Sequence, residues 1–304
     1  MTGEPASIPS NMRAIRLTDD GLVLDEIPTP EPGEGEALVR VHAAAITRDE
    51  LEWSTDRLPA IPSYELSGVV VAAGPGVDER LVGDAVYALT AFDRDGVAAD
   101  YAAVPAELLA PKPQQLGHVD SAALPLAALS AWQGLFDHGR LAAGERVLIH
   151  GATGGVGRFA TQLAHERGAH VVATVSSRNV ETARALGADE VIDHTTTRFE
   201  DAVEPVDLVF DTAGGDRLRR SPALLREGGR LVSVAEETPE GGIYFVVEPN
   251  REQLLEVSRR ADAGALRPAI DGVFELPDAR EAFARSMERD TRGKVVLRVA
   301  GEEE

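Results

Sequence analysis

The chain of 304 residues contains no cysteine, so disulfide bonds and thiolate metal ligands are excluded. This composition fits a reducing compartment such as the cytosol. No apolar run approaches the ~20 residues that a membrane-spanning helix needs. The N-terminal stretch "MTGEPASIPSN" has no basic region followed by an apolar one and is not typical of a signal peptide. We therefore expect a cytoplasmic protein that does not bind to a membrane.

Basic residues are also scarce, with 30 Lys and Arg against 51 Asp and Glu, which gives a formal net charge of −21. A field of this sign repels phosphate backbones and anionic lipids, so binding to nucleic acid or to a membrane surface is disfavoured. Lys112 and Lys294 are the only lysines. The acidic excess is typical of a well-hydrated soluble surface, and adaptation to high salt is the alternative explanation.

The first third of the chain predicts an all-β domain. Runs of β-branched or alternating residues are separated by Pro/Gly turns, and many short strands at short spacing favour a barrel or a sandwich. The predicted strands cover residues 12–17, 36–46, 64–74 and 83–92. Near residue 120 the pattern changes, and the Ala/Leu-rich stretch 120–135 predicts a helix that begins at an Asp/Ser cap.

Beyond residue 145, predicted strands and helices alternate, which favours an α/β fold with a parallel sheet and helices on both faces. The predicted strands cover residues 145–150, 170–175, 189–193, 206–211, 229–235 and 242–248. Six such strands match a doubly wound, Rossmann-type dinucleotide-binding sheet.

The last part of the chain predicts a different pattern. We expect a helix from Asn250, strands within 266–276 and 293–299, and a helix at 277–290. The terminal strands could rejoin the first domain. Residues 12–120, completed by 266–304, then form one domain, and residues 121–265 form the dinucleotide-binding domain.

The segment "HGATGGVG" (150–157) stands between a predicted strand and a predicted helix and matches the dinucleotide fingerprint G-x-G-x-x-G, with Ala in the first place. Gly154 lets the backbone approach a pyrophosphate, and Gly157 lets the helix pack on the strand. The helix N-terminus adds free N–H groups and a partial positive charge. The candidate coenzyme-binding residues of this turn are Ala152, Thr153, Gly154, Gly155, Val156 and Gly157. The alternative is a glycine turn that only packs a helix; a P-loop is excluded because no G-K-[ST] ends the turn.

The end of the next predicted strand, "HVVATV", bears on the choice of coenzyme. An NAD site places Asp or Glu there, about 20 residues after the glycines, to bind the ribose 2′-hydroxyl. Here the strand ends in Ser176, Ser177 and Arg178. A guanidinium and two hydroxyls could hold a 2′-phosphate through charge-assisted hydrogen bonds. We therefore predict NADP(H) over NAD(H); the alternative is that these residues only cap the next helix.

Several segments together resemble the medium-chain dehydrogenase/reductase superfamily, and most of all its zinc-free quinone oxidoreductase (zeta-crystallin-like) branch. They include "PEPGEGEALVRVHAAAI", "SGVVVAAGPGV", "VGDAVYAL", "LPLAALSAWQGL", "VLIHGATGGVG", "LGADEVID", "FDTAGG", "GGRLVSV" and "GKVVLRV". The resemblance runs from Met12 to about Val299 in the expected order. It implies a GroES-like β-barrel catalytic domain, a Rossmann domain and an active site in the cleft between them.

The resemblance also shows which metal ligands are missing. Zinc-dependent members carry a G-[IV]-C-x-x-D stretch and a G-H-E-x-x-G stretch. Here Thr47 stands in place of the zinc-binding Cys and Tyr64 in place of the His, while Glu65 remains. Zinc prefers nitrogen and sulfur ligands in a tetrahedron, so no metal is expected. Zinc-free members commonly have Asn at the position of Thr47, which leaves the substrate open.

Without a metal, oxidation of an alcohol needs another proton acceptor, such as a Tyr–Lys pair, and neither lysine lies in such a sequence pattern. Delivery of hydride to a quinone or an α,β-unsaturated carbonyl requires mainly positioning and hydrogen bonds to the developing oxyanion. The candidate donors are the hydroxyls of Thr47 and Tyr64 and the indole N–H of Trp53. Each has a structural alternative: a bond to backbone for Thr47, a solvent-facing cap for Tyr64 and an apolar wall for Trp53.

The resemblance implies further coenzyme contacts. Ser130 matches a Thr beneath the nicotinamide, and His194 falls where relatives often have a Tyr near the adenosine phosphate. The other implied contacts are Thr212, Ala213, Val234, Phe245, Val246 and Val247. Relatives often pair through the last strand of the Rossmann sheet, and an exposed edge favours pairing with a second copy, so we expect a homodimer.

Three functions remain open. The favoured one is an NADPH-dependent, zinc-free reductase of small quinones or activated alkenes. The second is an NADPH-binding scaffold or redox sensor with negligible catalysis, because no strong acid–base pair is evident in the sequence. The third is a zinc-independent alcohol or sugar dehydrogenase.

Overall fold

The structure, a computed structural model, describes residues 7–53, 57–288 and 291–301. It divides into two compact units. Unit 1 comprises the described residues up to Pro125, the segment Pro249–Ser258 and the described residues from Ile270 onwards; unit 2 comprises Leu126–Glu248 and Arg259–Ala269.

Strands and helices are numbered here in chain order. The strands are β1 (Asn11–Thr18), β2 (Gly21–Pro28), β3 (Glu36–Ile46), β4 (Glu65–Ala73), β5 (Ala85–Leu89), β6 (Tyr101–Pro105), β7 (Ala110–Pro111), β8 (Arg146–His150), β9 (His170–Val175), β10 (Glu190–Asp193), β11 (Val206–Asp211), β12 (Leu225–Ser233), β13 (Ile243–Tyr244), β14 (Ile270–Glu275) and β15 (Lys294–Arg298). The α-helices are α1 (His118–Ala122), α2 (Pro125–Trp132), α3 (Gly155–Glu166), α4 (Val180–Ala185), α5 (Gly215–Arg220), α6 (Arg251–Asp262) and α7 (Ala279–Met287).

Unit 1 is built on a seven-stranded sheet in the order β14-β15-β3-β4-β5-β7, with β6 also paired to β3, beside the β1–β2 hairpin. The long strand β3 is buried almost throughout, as its run of Ala and Val residues requires. The terminal strand β15 pairs antiparallel with β3 and places Val295 opposite Ile46. This pairing brings the first residue of β15 beside the residue that follows β3.

The segment Pro249–Ser258 lies inside the range 121–265 that the sequence assigned to the dinucleotide-binding domain, yet it packs in unit 1. The hydroxyl of Tyr87, fully buried on β5, donates to the carbonyl of Leu254 at 2.6 Å. Ser258 donates in turn to the Tyr87 hydroxyl at 2.8 Å. These long-range side-chain bonds leave no local signature in the sequence.

Unit 2 contains a six-stranded parallel sheet in the order β10-β9-β8-β11-β12-β13. This is the 3-2-1-4-5-6 order of a Rossmann fold, so the predicted architecture is confirmed. Its central strands are continuous apolar runs, such as the fully buried Val147, Leu148 and Ile149, because helices cover both faces of such a sheet.

Several predicted elements differ in their bounds from the structure, and two of these differences have a local cause. The last strand stops at Tyr244 instead of continuing to residue 248, because its partner β12 ends at Ser233, opposite Tyr244. Further along, the Gln133 side chain binds both the N–H and the carbonyl of Glu248 at 3.0 and 2.8 Å. The helix expected over 120–135 begins at His118 after Gly117, breaks before Pro125 and continues beyond Trp132 as a π-helix to His138. Proline has no N–H to donate to a preceding turn, which explains the break.

Candidate active site

The glycine turn of unit 2 follows β8 and leads into α3. Gly151 adopts a φ of +71°, which only glycine takes up without strain, and so makes the tight turn. A Cβ at Gly157 would stand 2.1 Å from the Gly151 carbonyl oxygen, so the close approach of helix and strand requires glycine there. Ala152 is fully buried and its carbonyl accepts from Thr161. The fingerprint assignment therefore missed Gly151, whose role depends on a backbone angle.

The N-terminus of α3 is open in a way that suits a diphosphate. Gly154 caps the helix without a side-chain hydrogen bond, and a Cβ at Gly155 would meet no atom within 4 Å. The first N–H groups of a helix have no partners within the helix, and they carry a partial positive charge. The helix end formed by Thr153, Gly154, Gly155 and Val156 therefore has the free N–H groups that suit an anion such as a coenzyme diphosphate.

The tripeptide expected to hold a 2′-phosphate lies at the carboxyl end of β9, as predicted, but it has a neighbour that no motif marked. The Ser177 hydroxyl donates to the Asp193 carboxylate at 2.5 Å, because β9 and β10 are parallel and pair Val175 with Asp193. Hydrogen bonds from Ser177 and Thr195 lower the pKa of Asp193, which is therefore an anion at neutral pH. Ser176, the first residue after β9, is partly buried, and Arg178 is exposed.

The other predicted coenzyme residues of the sheet follow the carboxyl ends of their strands, the usual ligand side of such folds. Thr212 donates to the His150 carbonyl at 2.7 Å and so joins the ends of β11 and β8. The Val234 N–H donates to the Asp211 carbonyl at 3.1 Å, and the His194 N–H donates to the Val175 carbonyl at 3.0 Å. A Cβ on Gly151 would lie 3.3 Å from that of Ala213. The structure thus gathers these residues at one edge of the sheet.

The remaining predicted contacts lie elsewhere in unit 2. Ser130 is buried on α2 and donates to the Leu126 carbonyl at 2.7 Å, so its hydroxyl is satisfied within its own helix. Phe245 follows β13 and packs against His138, with ring centroids 4.4 Å apart. Val247 is buried, whereas Val246 is 61% exposed.

Sequence motifs missed the buried carboxylate of Asp211 at the same edge. It accepts from the Gly214 N–H at 2.9 Å and from the Ser233 hydroxyl at 3.0 Å. Burial is the largest influence on its pKa, which is raised despite these bonds. Asp211 therefore fixes the turns that follow β11 and β12, where the predicted coenzyme residues lie.

In unit 1, Thr47 belongs to a polar cluster that contains Glu65 and Lys294. The Lys294 ammonium pairs with the Glu65 carboxylate and donates to the Thr47 hydroxyl oxygen at 3.2 Å. The Thr47 hydroxyl lies 3.3 Å from the same carboxylate oxygen. The sequence assigned Lys294 to no functional pattern, and the structure corrects this. Glu65 is fully buried and Lys294 is 8% exposed, while Thr47 is partly accessible.

A second buried carboxylate, that of Glu50, adjoins this cluster. It accepts from the backbone N–H groups of Thr47 at 2.9 Å and Ser63 at 3.0 Å. Burial raises the pKa of Glu50 to about 7, although these bonds and Lys294 act in the opposite direction. Burial, together with the nearby Glu50 carboxylate, also raises the pKa of Tyr64, whose hydroxyl stays protonated at neutral pH.

Tyr64 and Trp53 meet at a cavity of about 370 Å³ in unit 1. Their rings stack with centroids 5.9 Å apart, and Phe92 contacts both edge-on at 5.1 and 5.2 Å. Glu50, Arg57 and Asp93 add polar groups to the lining. Two of the three predicted donors are thus together, whereas Thr47 is not among the described lining residues and connects to the cavity through its bond to Glu50. No motif marked Phe92, Arg57 or Glu50.

The residues at the positions where zinc-dependent relatives carry their metal ligands do not fit a zinc ion. The Lys294 ammonium already bonds the Glu65 carboxylate and the Thr47 hydroxyl, and the Tyr64 ring stacks on Trp53. In the described part of the chain, no group of three or more His, Asp or Glu side chains is arranged to hold a metal. A zinc site needs convergent nitrogen or sulfur ligands, which this cluster does not offer.

None of the described helices combines the length and apolar character needed to cross a bilayer.

The chain is similar to known oxidoreductases over nearly its whole length. It is 35% identical to a 2-methylene-furan-3-one reductase of Solanum lycopersicum, across 97% of this chain and 81% of the relative. It is 34% identical to a chloroplastic NADPH-dependent alkenal/one oxidoreductase of Arabidopsis thaliana, across 96% of this chain and 81% of the relative. The solved structure of a quinone oxidoreductase from Coxiella burnetii superposes with a TM-score of 0.87 at 30% identity, covering 95% of this chain and all of that one.

Two family profiles match separate parts of the chain. An alcohol dehydrogenase GroES-like domain matches residues 33–114, and a zinc-binding dehydrogenase matches residues 186–297. The second description names zinc, yet the donor set around Lys294 does not suit that ion. Three observations point to the same family: the sheet of unit 1, the Rossmann strand order of unit 2 and the similarity along the chain. The chain therefore belongs to the medium-chain dehydrogenase/reductase superfamily.

Proposed function

We propose that the protein transfers a hydride from NADPH to a small quinone or α,β-unsaturated carbonyl, without a catalytic metal. The observation that carries the proposal is the partly accessible Thr47 hydroxyl, held by Lys294 and Glu65 at the position where zinc-dependent relatives bind metal. The similarity of the chain to an NADPH-dependent alkenal/one oxidoreductase and to a quinone oxidoreductase supports this class of acceptor.

The coenzyme is assigned to unit 2. The open N-terminus of α3 would hold its diphosphate, and Ser176 and Arg178 would bind the 2′-phosphate. Thr212, Ala213 and Val234 would line the dinucleotide at the carboxyl edge of the sheet. When bound, the reduced nicotinamide supplies the hydride.

The acceptor is assigned to unit 1, where hydrogen-bond donors meet apolar rings. When a hydride adds to the electrophilic carbon of a conjugated carbonyl, the displaced electron pair moves to the oxygen. Donors fixed in advance at that oxygen lower the barrier. The Tyr64 and Thr47 hydroxyls are the proposed donors, because both are protonated at neutral pH. The Trp53 and Phe92 rings suit a flat, conjugated acceptor.

Oxidation of NADPH in the presence of a panel of quinones, enones and aldehydes tests this function. Turnover of a quinone or an enone, together with tighter binding of NADPH than of NADH by calorimetry, is the expected result. Saturable NADPH binding without turnover of any acceptor would instead favour a scaffold or redox sensor. Turnover confined to aldehydes would favour an alcohol or sugar dehydrogenase. Either of these results contradicts the proposal.

A homodimer and a cytoplasmic location are part of the same proposal. β13 lies at one end of the strand order of unit 2, and Ile243, Tyr244 and Val246 are exposed there. An apolar edge strand favours pairing with a second copy. Light scattering should give twice the chain mass, and Ile243→Lys should lower it to that of a monomer.

The absence of cysteine supports a cytoplasmic location, which imaging of a tagged chain in its native cells would test.

A further inference from the structure

Three strand ends meet in unit 1 at the Lys294 cluster. Thr47 follows β3, Glu65 begins β4 and Lys294 begins β15. β3 lies between the other two strands, with Ala45 opposite Glu65 and Ile46 opposite Val295. The register of a rigid sheet therefore fixes the three side chains, and a site built on strands is held more accurately than one built on loops.

The identity of the base is informative, because this chain almost always uses arginine. Lys112 and Lys294 are the only lysines among 30 basic residues. An arginine presents a planar fork, whereas a lysine ammonium is a compact point charge with three donors. At Lys294 those donors serve the Glu65 carboxylate and the Thr47 hydroxyl oxygen together. A buried pair of this kind gains little net stability, so its presence favours a further role.

The direction of these hydrogen bonds suggests what that role is. Because Lys294 donates to the Thr47 oxygen, the single proton of that hydroxyl must point away from the ammonium. Its acceptor in the structure is a Glu65 oxygen at 3.3 Å, a long bond for a hydroxyl donor. A substrate oxygen that gains negative charge would be a stronger acceptor than this shared carboxylate oxygen.

We propose that Lys294 is a positioning residue that orients and polarises the Thr47 hydroxyl toward the oxygen of the hydride acceptor. This role rests on the proposed function and adds a residue to it. Lys294 itself does not touch the acceptor. Its positive charge lies one hydrogen bond behind the donor, where it stabilises negative charge developing on the acceptor oxygen. A fixed ammonium thereby takes over the electrostatic part of what a metal ion supplies in zinc-dependent relatives.

A double-mutant cycle on Thr47 and Lys294 tests the coupling. Thr47→Val removes the hydroxyl and keeps the shape of the side chain. Lys294→Met removes the charge and keeps most of the length. Each single change should lower kcat by on the order of tenfold, with a smaller change in KM, as expected for an interaction made in the transition state. In the Thr47→Val background, Lys294→Met should cost less than about a further twofold, because its effect passes through the missing hydroxyl.

Two controls guard against a trivial loss of fold. Lys112→Met removes the other lysine, which binds the backbone carbonyls of Pro113 and Leu116, and should leave kcat unchanged. Because Lys294→Met alone strands a buried carboxylate, Lys294→Met/Glu65→Gln, which removes both charges of the pair, is also measured with and without Thr47→Val. Circular dichroism and the Kd for NADPH should match the wild type throughout.

The outcomes separate the two levels of the inference. An active wild type with strongly non-additive losses supports the role of Lys294. If the wild type is active but the kcat losses of Thr47→Val and Lys294→Met multiply in the double variant, or if Lys294→Met keeps full kcat, that role is overturned and the proposed function stands. A folded wild type that binds NADPH but reduces no quinone or enone overturns the proposed function, and the role of Lys294 with it.

Discussion

The Glu50 carboxylate accepts the backbone N–H of Ser63 at 3.0 Å, and its other oxygen accepts that of Thr47 at 2.9 Å. The two bonds join the turn after β3 to the residue that precedes Tyr64. Burial raises the pKa of this carboxyl group from 4.5 to about 7. Glu50 is therefore a group in unit 1 from which we expect a pH-dependent contribution to stability near neutrality.

The contribution of Glu50 to stability should fall as the pH rises. Because the folded-state pKa lies above the ordinary value, the native state binds the proton more tightly than the unfolded state does. The stabilisation is complete below about pH 4.5 and is lost as the pH rises through about 7. Glu50→Gln cannot ionise, although it loses one of the two acceptors. We therefore measure the free energy of unfolding in urea at about pH 5.5 and about pH 8. Between these two pH values it should fall further in the wild type than in Glu50→Gln, by on the order of 1–3 kcal/mol. Parallel pH profiles would contradict this assignment.

Tyr64→Phe should isolate the contribution of the hydroxyl to turnover. The substitution keeps the ring that stacks on Trp53 and contacts Phe92, so the shape of the cavity is retained. If the hydroxyl donates to the acceptor oxygen, kcat should fall by roughly tenfold, about 1.4 kcal/mol, with the Kd for NADPH unchanged. Tyr101→Phe, on β6 and outside the cavity lining, is the matched control and should have no effect. Equal kinetics for both variants would exclude Tyr64 as a donor.

Alanine at two neighbouring glycines should separate folding from coenzyme binding. At Gly157 the new Cβ would collide with the Gly151 carbonyl at 2.1 Å, so Gly157→Ala should lower stability by at least about 2 kcal/mol. At Gly155 the Cβ meets nothing within 4 Å, so Gly155→Ala should keep the wild-type Tm. That methyl group nevertheless stands at the helix end assigned to the diphosphate and should weaken NADPH binding. Thermal unfolding and calorimetry measure both effects; unchanged affinity in Gly155→Ala would place the diphosphate elsewhere.

The fold of unit 2 was predictable because its information is local. Each buried strand is a short apolar run, and the turn after His150 carries glycines at a spacing that the diphosphate site requires. The return of the terminal strands to the first domain was one possibility that the residue pattern left open, but the strand with which they pair was not predictable. Periodicity alone says that residues 293–299 form a strand and does not identify β3 as its partner.

The cluster in unit 1 was not predictable, for a physical reason. Thr47 was identified from a missing metal ligand, but Lys294 lies 247 residues away from it along the chain. Their contact depends on the register between β15 and β3. The role of Glu50 depends in the same way on its burial, and the burial of one residue in a turn cannot be read from the local sequence pattern. Such sites follow from tertiary packing, whereas the glycine turn follows from backbone geometry that the sequence specifies directly.

The carboxylate of Asp193 should reduce the preference for NADPH. It lies 2.5 Å from the Ser177 hydroxyl, at the strand ends where a 2′-phosphate is expected, and it is ionised at neutral pH. Asp193→Asn removes the like charge and should tighten NADPH binding several-fold, with little change for NADH. Arg178→Ala should weaken NADPH binding and leave NADH binding unchanged, because only the 2′-phosphate needs the guanidinium. Calorimetric titration of NADPH and NADH into the wild type and the two variants measures the ratio of the two Kd values. If neither substitution alters the ratio of the two Kd values, the 2′-phosphate is bound away from the ends of β9 and β10.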